Sequence, residues 1–364
     1  MPRRKPAPAG PDTLPFIAMT PTPSALANAI APIHELGVLL CSGPDARSFL
    51  HGQLTNDFLL LDHTQARLAA FLSAKGRMQA SFIGIRHGEA DVLLLVHRSV
   101  LAAVQKRLSM FVLRAKAKLS DASADWQLQA LFGDAVRAQV GAALAPWQLQ
   151  AAADGSLAIG LYPAAGLPRA LRLRPAATDA AKSGTDGATS VPEAAWQWSE
   201  VASGVATISA PVVDLLVPQM LNYESIGGIN FKKGCYPGQE VVARSQFRGA
   251  IKRRALLARG AAAALPQPGD EVFGAGDDEQ PCGLVVQVAA HWPADTDANG
   301  LTRFDAIVSL QTAHAGEALH IRPAAAGMPP DGAAPAASAA HGAHAATPVA
   351  IDVHAAPYPL LDDI

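Results

Sequence analysis

The stretch from 231 to 240 holds the residues best suited to chemistry. It reads FKKGCYPGQE, so Cys235 follows Lys232 and Lys233 directly and precedes a predicted helix that begins near Gly238. The thiolate is the reactive form of cysteine, and both positive charge and a helix N-terminus favour it. We therefore expect Cys235 to be a reactive thiol in an exposed loop, with Lys233 raising its thiolate fraction. A buried structural cysteine in a tight turn is the alternative, because free cysteine is often buried.

The helix predicted after this loop carries a charge pair. Glu240 and Arg244 are four residues apart, so they share one helical face with the acid nearer the N-terminus, which is the more stabilising order. Gly249 is expected to end the helix, as glycine commonly does.

Three motifs in the chain are similar to those of one known family. The first, Lys-Gly-Cys-Tyr-x-Gly-Gln-Glu at 233–240, continues through Pro218-Gln219, Gly227-Gly228-Ile229-Asn230-Phe231 and Ala243-Arg244 to Arg248-Gly249. The second is Phe49-Leu50-x-Gly-Gln-Leu-Thr-Asn-Asp57, and the third is Lys75-Gly76-Arg77. Together they resemble the YgfZ-type folate-binding proteins, which are relatives of the T-protein (aminomethyltransferase) of the glycine cleavage system.

The resemblance implies a function and a set of site residues. It implies a tetrahydrofolate-binding accessory protein that supports assembly or repair of iron–sulfur enzymes, including one that modifies tRNA. Folate and iron–sulfur client proteins would be the partners. Cys235 and Lys233 would be the reactive residues, with a flat pterin stacked in a central channel. The folate-binding residues would be Asn56, Asp57, Gly234, Tyr236, Gln239, Glu240 and Arg244.

Two other functions remain open at this point. One is folate-dependent one-carbon transfer, as in the T-protein relatives, whose corresponding hairpin carries paired aspartates. Here Gly76 is followed by Arg77, Met78, Gln79 and Ala80, and glutamine cannot act as a general base. The sequence therefore argues against this transfer, and whether the protein is an enzyme stays open. The other is a scaffold that binds partner proteins without catalysis.

Charge and cysteine usage exclude several classes. The chain of 364 residues has 29 Lys plus Arg and 31 Asp plus Glu, a net charge of −2, so direct nucleic-acid binding is not expected. The visible basic cluster is Lys252-Arg253-Arg254. The cysteines Cys41, Cys235 and Cys282 are far apart and show no metal-binding spacing, so we predict no metal site, and core positions for Cys41 and Cys282. Reduced cysteines favour the cytoplasm.

Membrane insertion is not expected either. No run of about 18 apolar residues is present, and prolines interrupt the basic N-terminus.

The expected fold class is α+β. The resemblance implies a T-protein-like multi-domain fold, with two sheet-plus-helix units followed by a small antiparallel β-barrel, and short strands after 249 separated by Gly and Pro also predict the barrel. We expect a disordered N-terminus (1–24), a first α+β folate-binding domain (25–125), a second α+β domain with the cysteine loop (126–249), a flexible insertion within it (175–192), the barrel (250–322) and a low-complexity tail rich in Ala, Pro and His (323–364).

Three local expectations follow from pattern alone. Ser24 is predicted to cap a short helix, ALANAI (25–30). Phe111 is predicted to join Leu101, Val104 and Leu108 on the buried face of a helix. Arg172 and Arg174 alternate with leucines in a strand, which favours a solvated sheet edge.

Overall fold

The chain is described by a computed structural model over residues 24–141, 143–177, 187–247, 251–276, 279–323 and 347–361. Parts of several predictions lie outside these residues, namely 1–23 of the N-terminus, 178–186 of the insertion, Gly249 at the predicted helix end, and 324–346 and 362–364 of the tail. Two sheets carry helices and a third sheet closes into an antiparallel barrel, as the sequence predicted.

The first sheet is antiparallel with the strand order β3-β4-β5-β2-β6. Its strands are β2 (Leu36–Ser42), β3 (Arg67–Leu72), β4 (Met78–His87), β5 (Asp91–His97) and β6 (Lys118–Asp121). Two helices, α1 (Ala46–Gln53) and α2 (Arg98–Ser109), pack their apolar side chains on one face, where Cys41 is buried. Strand β5 is almost entirely apolar and lies in the middle of the sheet, paired with β4 on one side and β2 on the other. Its side chains are buried on both faces of the sheet.

The second sheet has the order β11-β1-β7-β10-β9-β8. Its strands are β1 (Asn28–Pro32), β7 (Trp126–Gly133), β8 (Leu149–Ala151), β9 (Leu157–Ala164), β10 (Leu167–Pro175) and β11 (Thr189–Ser190). The helices are α3 (Asp134–Val140) and α4 (Glu193–Ala202).

The helix predicted after Ser24 was wrong. A single 3-10 turn, Ser24–Leu26, precedes β1, which pairs with β7 on one side and β11 on the other. This pairing overrides the helix preference of the alanines, since tertiary context outweighs local propensity. It also places 28–32 in the second sheet and not in the predicted first domain (25–125).

The solvated edge predicted for Arg172 and Arg174 was also wrong. Strand β10 is internal, paired with β7 and β9, and both arginines are buried. Arg172 Nε donates to Gln129 Oε1 at 3.1 Å. Alternation correctly indicated a strand, but it gave no information on the layer that covers its polar face.

The barrel has the order β12-β15-β14-β13-β16-β17. Its strands are β12 (Arg253–Ala262), β13 (Glu271–Gly274), β14 (Gly283–Ala290), β15 (Thr302–Gln311), β16 (Leu319–Arg322) and β17 (Val349–His354). Cys282 is buried in its core, as predicted.

The barrel ends later than predicted. Strand β17 lies in the range assigned to the tail, yet it pairs with β12 and β16. Beyond it, the hydroxyl of Tyr358 donates to Gly204 O at 2.8 Å, so the chain end is fixed to the second unit. The Ala-rich composition before residue 349 concealed the short strand.

Helix α2 ends before the apolar pattern does. Leu101, Val104 and Leu108 are buried as predicted, but Phe111 follows the helix end at Ser109 and is 40% exposed. Among the described helices, none combines the length and apolar character needed to cross a membrane.

The largest cluster of buried apolar side chains lies between the two sheets and reaches the barrel. It includes Leu68 and Leu93 of the first sheet, Leu171 of the second and Ile307 of the barrel. Helix α5 (Gln239–Phe247) follows the cysteine loop and buries Val242 in the same cluster.

Candidate functional site

Cys235 is exposed in a loop just before α5, as the sequence predicted. The adjacent Gly234 is also exposed, and a Cβ at that position would lie 3.6 Å from Nε2 of His51. The thiol is thus open to solvent, and the loop passes beside an imidazole that sequence reasoning did not identify.

Lys233 lies beneath the loop rather than on its surface. Its Nζ donates to Leu54 O at 2.6 Å and to His51 O at the end of α1, and it lies 4.6 Å from the centre of the Tyr236 ring. Burial lowers the pKa of Lys233 to about 8, although negative charge on Asp57 and Cys235 acts to raise it. Lys233 therefore anchors the loop and carries a charge that titrates close to neutral pH.

Asn56 and Asp57, two of the predicted folate-binding residues, lie on the other side of this loop. Asn56 Nδ2 donates to Leu68 O and Gly227 O, each at 2.7 Å, so the amide joins β3 to the start of the cysteine-loop segment. Asp57 Oδ1 lies 3.1 Å from His51 Nδ1.

Asp57 is held in its ionised form. Its Oδ1 accepts hydrogen bonds from the amides of Leu60 and Leu59. Partial burial acts to raise the pKa of Asp57, but these hydrogen bonds and His51 outweigh it and hold the pKa below its usual value.

Two of the sequence motifs meet at the start of α5. Gly238 has φ +79°, and a Cβ there would lie 2.7 Å from Ser73 O and 2.8 Å from Gly76 Cα. The Lys75-Gly76-Arg77 turn therefore packs directly on the cysteine-loop motif, and a larger residue at Gly238 would separate them.

The remaining predicted site residues differ in exposure. Arg244 Nη2 donates to Glu240 Oε1 at 2.6 Å, so the predicted pair forms, but the two side chains are 65% and 84% exposed. Tyr236 is buried and Gln239 is half-buried.

A separate cavity lies between the two sheets. Its lining includes Ser81 and Ile83 of β4, Trp147, Tyr162 of β9, Arg169 of β10 and Glu200 of α4. The site residues predicted from sequence do not line this cavity, so the structure forms two regions where the sequence predicted one.

An ion pair is buried at the cavity wall. Arg169 Nη1 donates to Glu200 Oε1 at 2.6 Å and to Ser199 Oγ at 3.0 Å. Burial raises the pKa of Glu200, and the charge of Arg169 opposes that shift. No hydrogen bond to Glu200 Oε2 occurs within the described part of the chain.

Aromatic side chains form another part of the wall. The ring centres of Trp147 and Tyr162 are 5.9 Å apart, and those of Tyr162 and Tyr358 are 5.4 Å apart. Trp147 has φ 66° and donates from Nε1 to Ile226 O at 2.9 Å. Trp147 and Asn56 therefore both connect the cavity wall to the segment that leads into the cysteine loop.

Sequence reasoning missed the cavity residues, although a signal was present for two of them. Glu200 is a charge on the apolar face of α4, four residues after Trp196, and Arg169 shares a strand face with Leu171 and Leu173. A charge on an otherwise apolar face requires a buried partner. No comparable signal marks Trp147.

The turn that lacks the T-protein aspartates has a different neighbour. Gln79 Nε2 donates to Asp214 Oδ2 at 3.3 Å, and neither residue is among those that line the cavity. Within the described residues, no group of three or more His, Cys, Asp and Glu side chains is arranged to hold a metal ion.

Comparison with known proteins identifies the family. The chain is 31% identical over 266 residues to the tRNA-modifying protein YgfZ of Cronobacter sakazakii, covering 71% of this chain and 79% of that protein. It is 35% identical over 255 residues to the protein of the same name from Edwardsiella ictaluri, covering 67% and 75%. The chain belongs to the YgfZ family. A scan against family models finds no match.

The fold of this YgfZ-family chain is T-protein-like, which confirms the predicted fold class. It superposes on the glycine cleavage system aminomethyltransferase T from Bartonella henselae with a TM-score of 0.62, over 93% of this chain and 88% of that chain. At 16% sequence identity this likeness establishes the fold alone.

Proposed function

We propose that this chain is a tetrahydrofolate-binding accessory protein that acts in the cytoplasm and supports iron–sulfur enzymes, including one that modifies tRNA. The names of its YgfZ relatives support the link to tRNA modification. The single observation that carries the folate proposal is the cavity between the sheets, in which Glu200 lies beside aromatic side chains.

The groups that line the cavity suit a pterin, and its volume of about 30 Å³ means that the walls must move apart to admit the ring. The 2-amino-4-oxo ring presents adjacent N–H donors, and a carboxylate accepts such a pair. Arg169 donates to Oε1 of Glu200, which leaves Oε2 and the second lone pair of Oε1 for the ligand. Trp147 and Tyr162 supply aromatic surface for a flat ring.

Cys235 has a different role in this proposal. Its exposed thiol reacts with a group brought by a client protein, while Lys233 fixes the loop and supplies positive charge. Aminomethyl transfer is not proposed, because Glu200, the carboxylate among the described cavity residues, is held by Arg169.

Calorimetric titration of tetrahydrofolate into the purified, reduced protein tests the folate site. We expect micromolar binding that Cys235→Ala retains and Tyr162→Leu weakens at least about tenfold, since loss of an aromatic face removes stacking worth roughly 1–3 kcal/mol. Phe247→Leu, at an exposed aromatic residue, is the matched control. Absence of binding to the unaltered protein would overturn the folate proposal.

A second assay addresses the thiol. Cys235→Ser is expressed in cells that lack the native protein, and iron–sulfur enzyme activity and tRNA modification are measured. Both are expected to fall, and unchanged values would remove the thiol from the mechanism.

A further inference from the structure

One segment of the first unit is strongly basic, although the whole chain is nearly neutral. Between Asp91 and Asp121 no acidic residue occurs, and six basic residues do, whereas the chain as a whole has a net charge of −2. These residues are Arg98, Lys106, Arg107, Arg114, Lys116 and Lys118. Net charge is an average, so it concealed a local excess of positive charge.

Five of these residues lie within the thirteen-residue stretch 106–118, and we name them the basic surface: Lys106, Arg107, Arg114, Lys116 and Lys118. They lie on the last turn of α2, on the segment after it and at the start of β6, and all five are exposed. None of them forms an ion pair with another described residue. Their charge is therefore available to an anionic partner.

A flat apolar group lies among these cations. The guanidinium carbon of Arg107 is 5.4 Å from the centre of the Phe111 ring, which is 40% exposed. Met110 and Leu113 flank it and are 62% and 85% exposed. An exposed ring beside a guanidinium plane is the platform on which unpaired nucleic-acid bases stack.

The segment that carries the basic surface is held in place. The amide of Lys116 donates to Asp45 Oδ2 at 2.7 Å, and the amide of Asp45 donates to Lys116 O at 3.3 Å. Leu108 and Leu119 anchor its two ends in the core. A surface fixed in this way loses little conformational freedom on binding.

We propose that the basic surface binds an unpaired RNA segment, with phosphates on the lysines and arginines and a base on Phe111. Three of its five cations are lysines, which are depleted from the centre of protein–protein interfaces but are common phosphate ligands. The other basic cluster does not offer this, because Arg254 is buried in an ion pair with Glu224. The choice of RNA as the polyanion rests on the proposed role in tRNA modification.

Fluorescence anisotropy with a labelled single-stranded RNA of about 12 nucleotides tests the surface, with unlabelled bulk tRNA as competitor. The negative slope of log K against log salt should become shallower by about 1.4 in Lys116→Gln/Lys118→Gln, at about 0.7 for each lost phosphate contact. Phe111→Ala should weaken binding roughly tenfold. The matched controls Lys252→Gln and Phe247→Ala, at exposed residues elsewhere, should bind as the unaltered protein does.

Several results would overturn the proposal. They are absence of binding at low salt, equal losses in the control variants, or a Phe111→Ala variant with unchanged affinity. The last result would describe a general polyanion site, such as one for an acidic protein. Binding to vesicles that contain phosphatidylglycerol, with little for RNA, would assign the surface to a membrane instead. Folate titration is independent of these measurements, so failure here leaves the proposed folate function untouched.

Discussion

Charged groups are arranged in opposite ways in the cysteine loop and in the cavity that lies between the two sheets. In the cavity wall, Glu200 and Arg169 are both buried and neutralise each other. In the loop, Lys233 is buried against backbone carbonyls while Cys235 is exposed. The charged pair of the cavity wall is thus enclosed within the fold, whereas the thiol of the loop is open to a molecule that arrives from outside.

Burial moves proton affinities in opposite directions in the two regions. Near the cavity it raises the pKa of Glu35 to about 7, with the negative charge of Glu200 adding to the shift, whereas under the loop it lowers the pKa of Lys233 to about 8. Both groups therefore change charge close to neutral pH.

The largest effect is expected when the buried pair is broken. Arg169→Met leaves the Glu200 carboxylate buried without its partner and should lower the free energy of unfolding by about 3–5 kcal/mol. Chemical denaturation measures the change. The double variant Arg169→Met/Glu200→Leu should recover most of it, and a single-variant loss below about 1 kcal/mol would show that water solvates the pair.

A smaller loss is expected at the residue that joins the two regions. Asn56→Ala removes the donor to Leu68 O and Gly227 O and should lower the free energy of unfolding by about 1–3 kcal/mol, since the buried Leu68 carbonyl loses this donor. The control is Asn299→Ala, at an exposed asparagine, where a change within about 0.5 kcal/mol is expected. Equal effects at the two sites would contradict the bridging role of Asn56.

The free energy of unfolding should depend on pH through Glu35, which lies near the cavity. Its pKa in the folded protein, about 7, lies above the ordinary 4.5, so the folded state holds the proton more tightly. The resulting stabilisation is complete below about pH 4.5 and is lost as pH rises through 7, and it should be on the order of 1 kcal/mol after allowance for partial exposure. Denaturation across this range measures it, and Glu35→Gln should flatten the profile. If the free energy of unfolding of Glu35→Gln changes with pH as it does in the unaltered protein, another group causes the effect.

The reactivity of Cys235 in the loop should depend on the positive charge of Lys233. Lys233→Met should slow alkylation of Cys235 by iodoacetamide about fivefold near pH 7, because the attraction between the Lys233 charge and an anionic sulfur in the loop, about 1 kcal/mol, is lost. The difference should narrow above pH 8, where Lys233 itself loses its proton. Lys232→Met, at the exposed neighbour, is the control. Faster alkylation in Lys233→Met would mean that the lysine restrains the loop more than it activates the thiol.

The smallest effect is expected on the solvent side of α5. Arg244→Ala removes an ion pair that is largely exposed and should change the free energy of unfolding by less than about 0.5 kcal/mol. A loss above about 1 kcal/mol would show that the pair has a structural role that its exposure does not suggest.

The sequence predicted elements whose causes are local. The placement of Cys235 before a helix and the pairing of Glu240 with Arg244 both follow from neighbouring residues. The motif resemblance predicted the arrangement of the three sheets.

Features that depend on distant parts of the chain were not predictable in the same way. The burial of Lys233 requires carbonyls from α1, and that of Arg172 requires a covering layer on the second sheet. The charges of Arg169 and Glu200 on apolar faces were visible, but the cavity that they line depends on how the two sheets face each other.

The positions of the first and last strands have a consequence for synthesis on the ribosome. Strand β1 is translated early but pairs with β7 and β11, so it waits until residues near 190 have left the exit tunnel. Strand β17 completes the barrel between β12 and β16, so the nascent chain cannot close that barrel before residues near 354 have left the exit tunnel. Until then apolar strand edges remain unpaired, so we expect chaperones to bind the nascent chain.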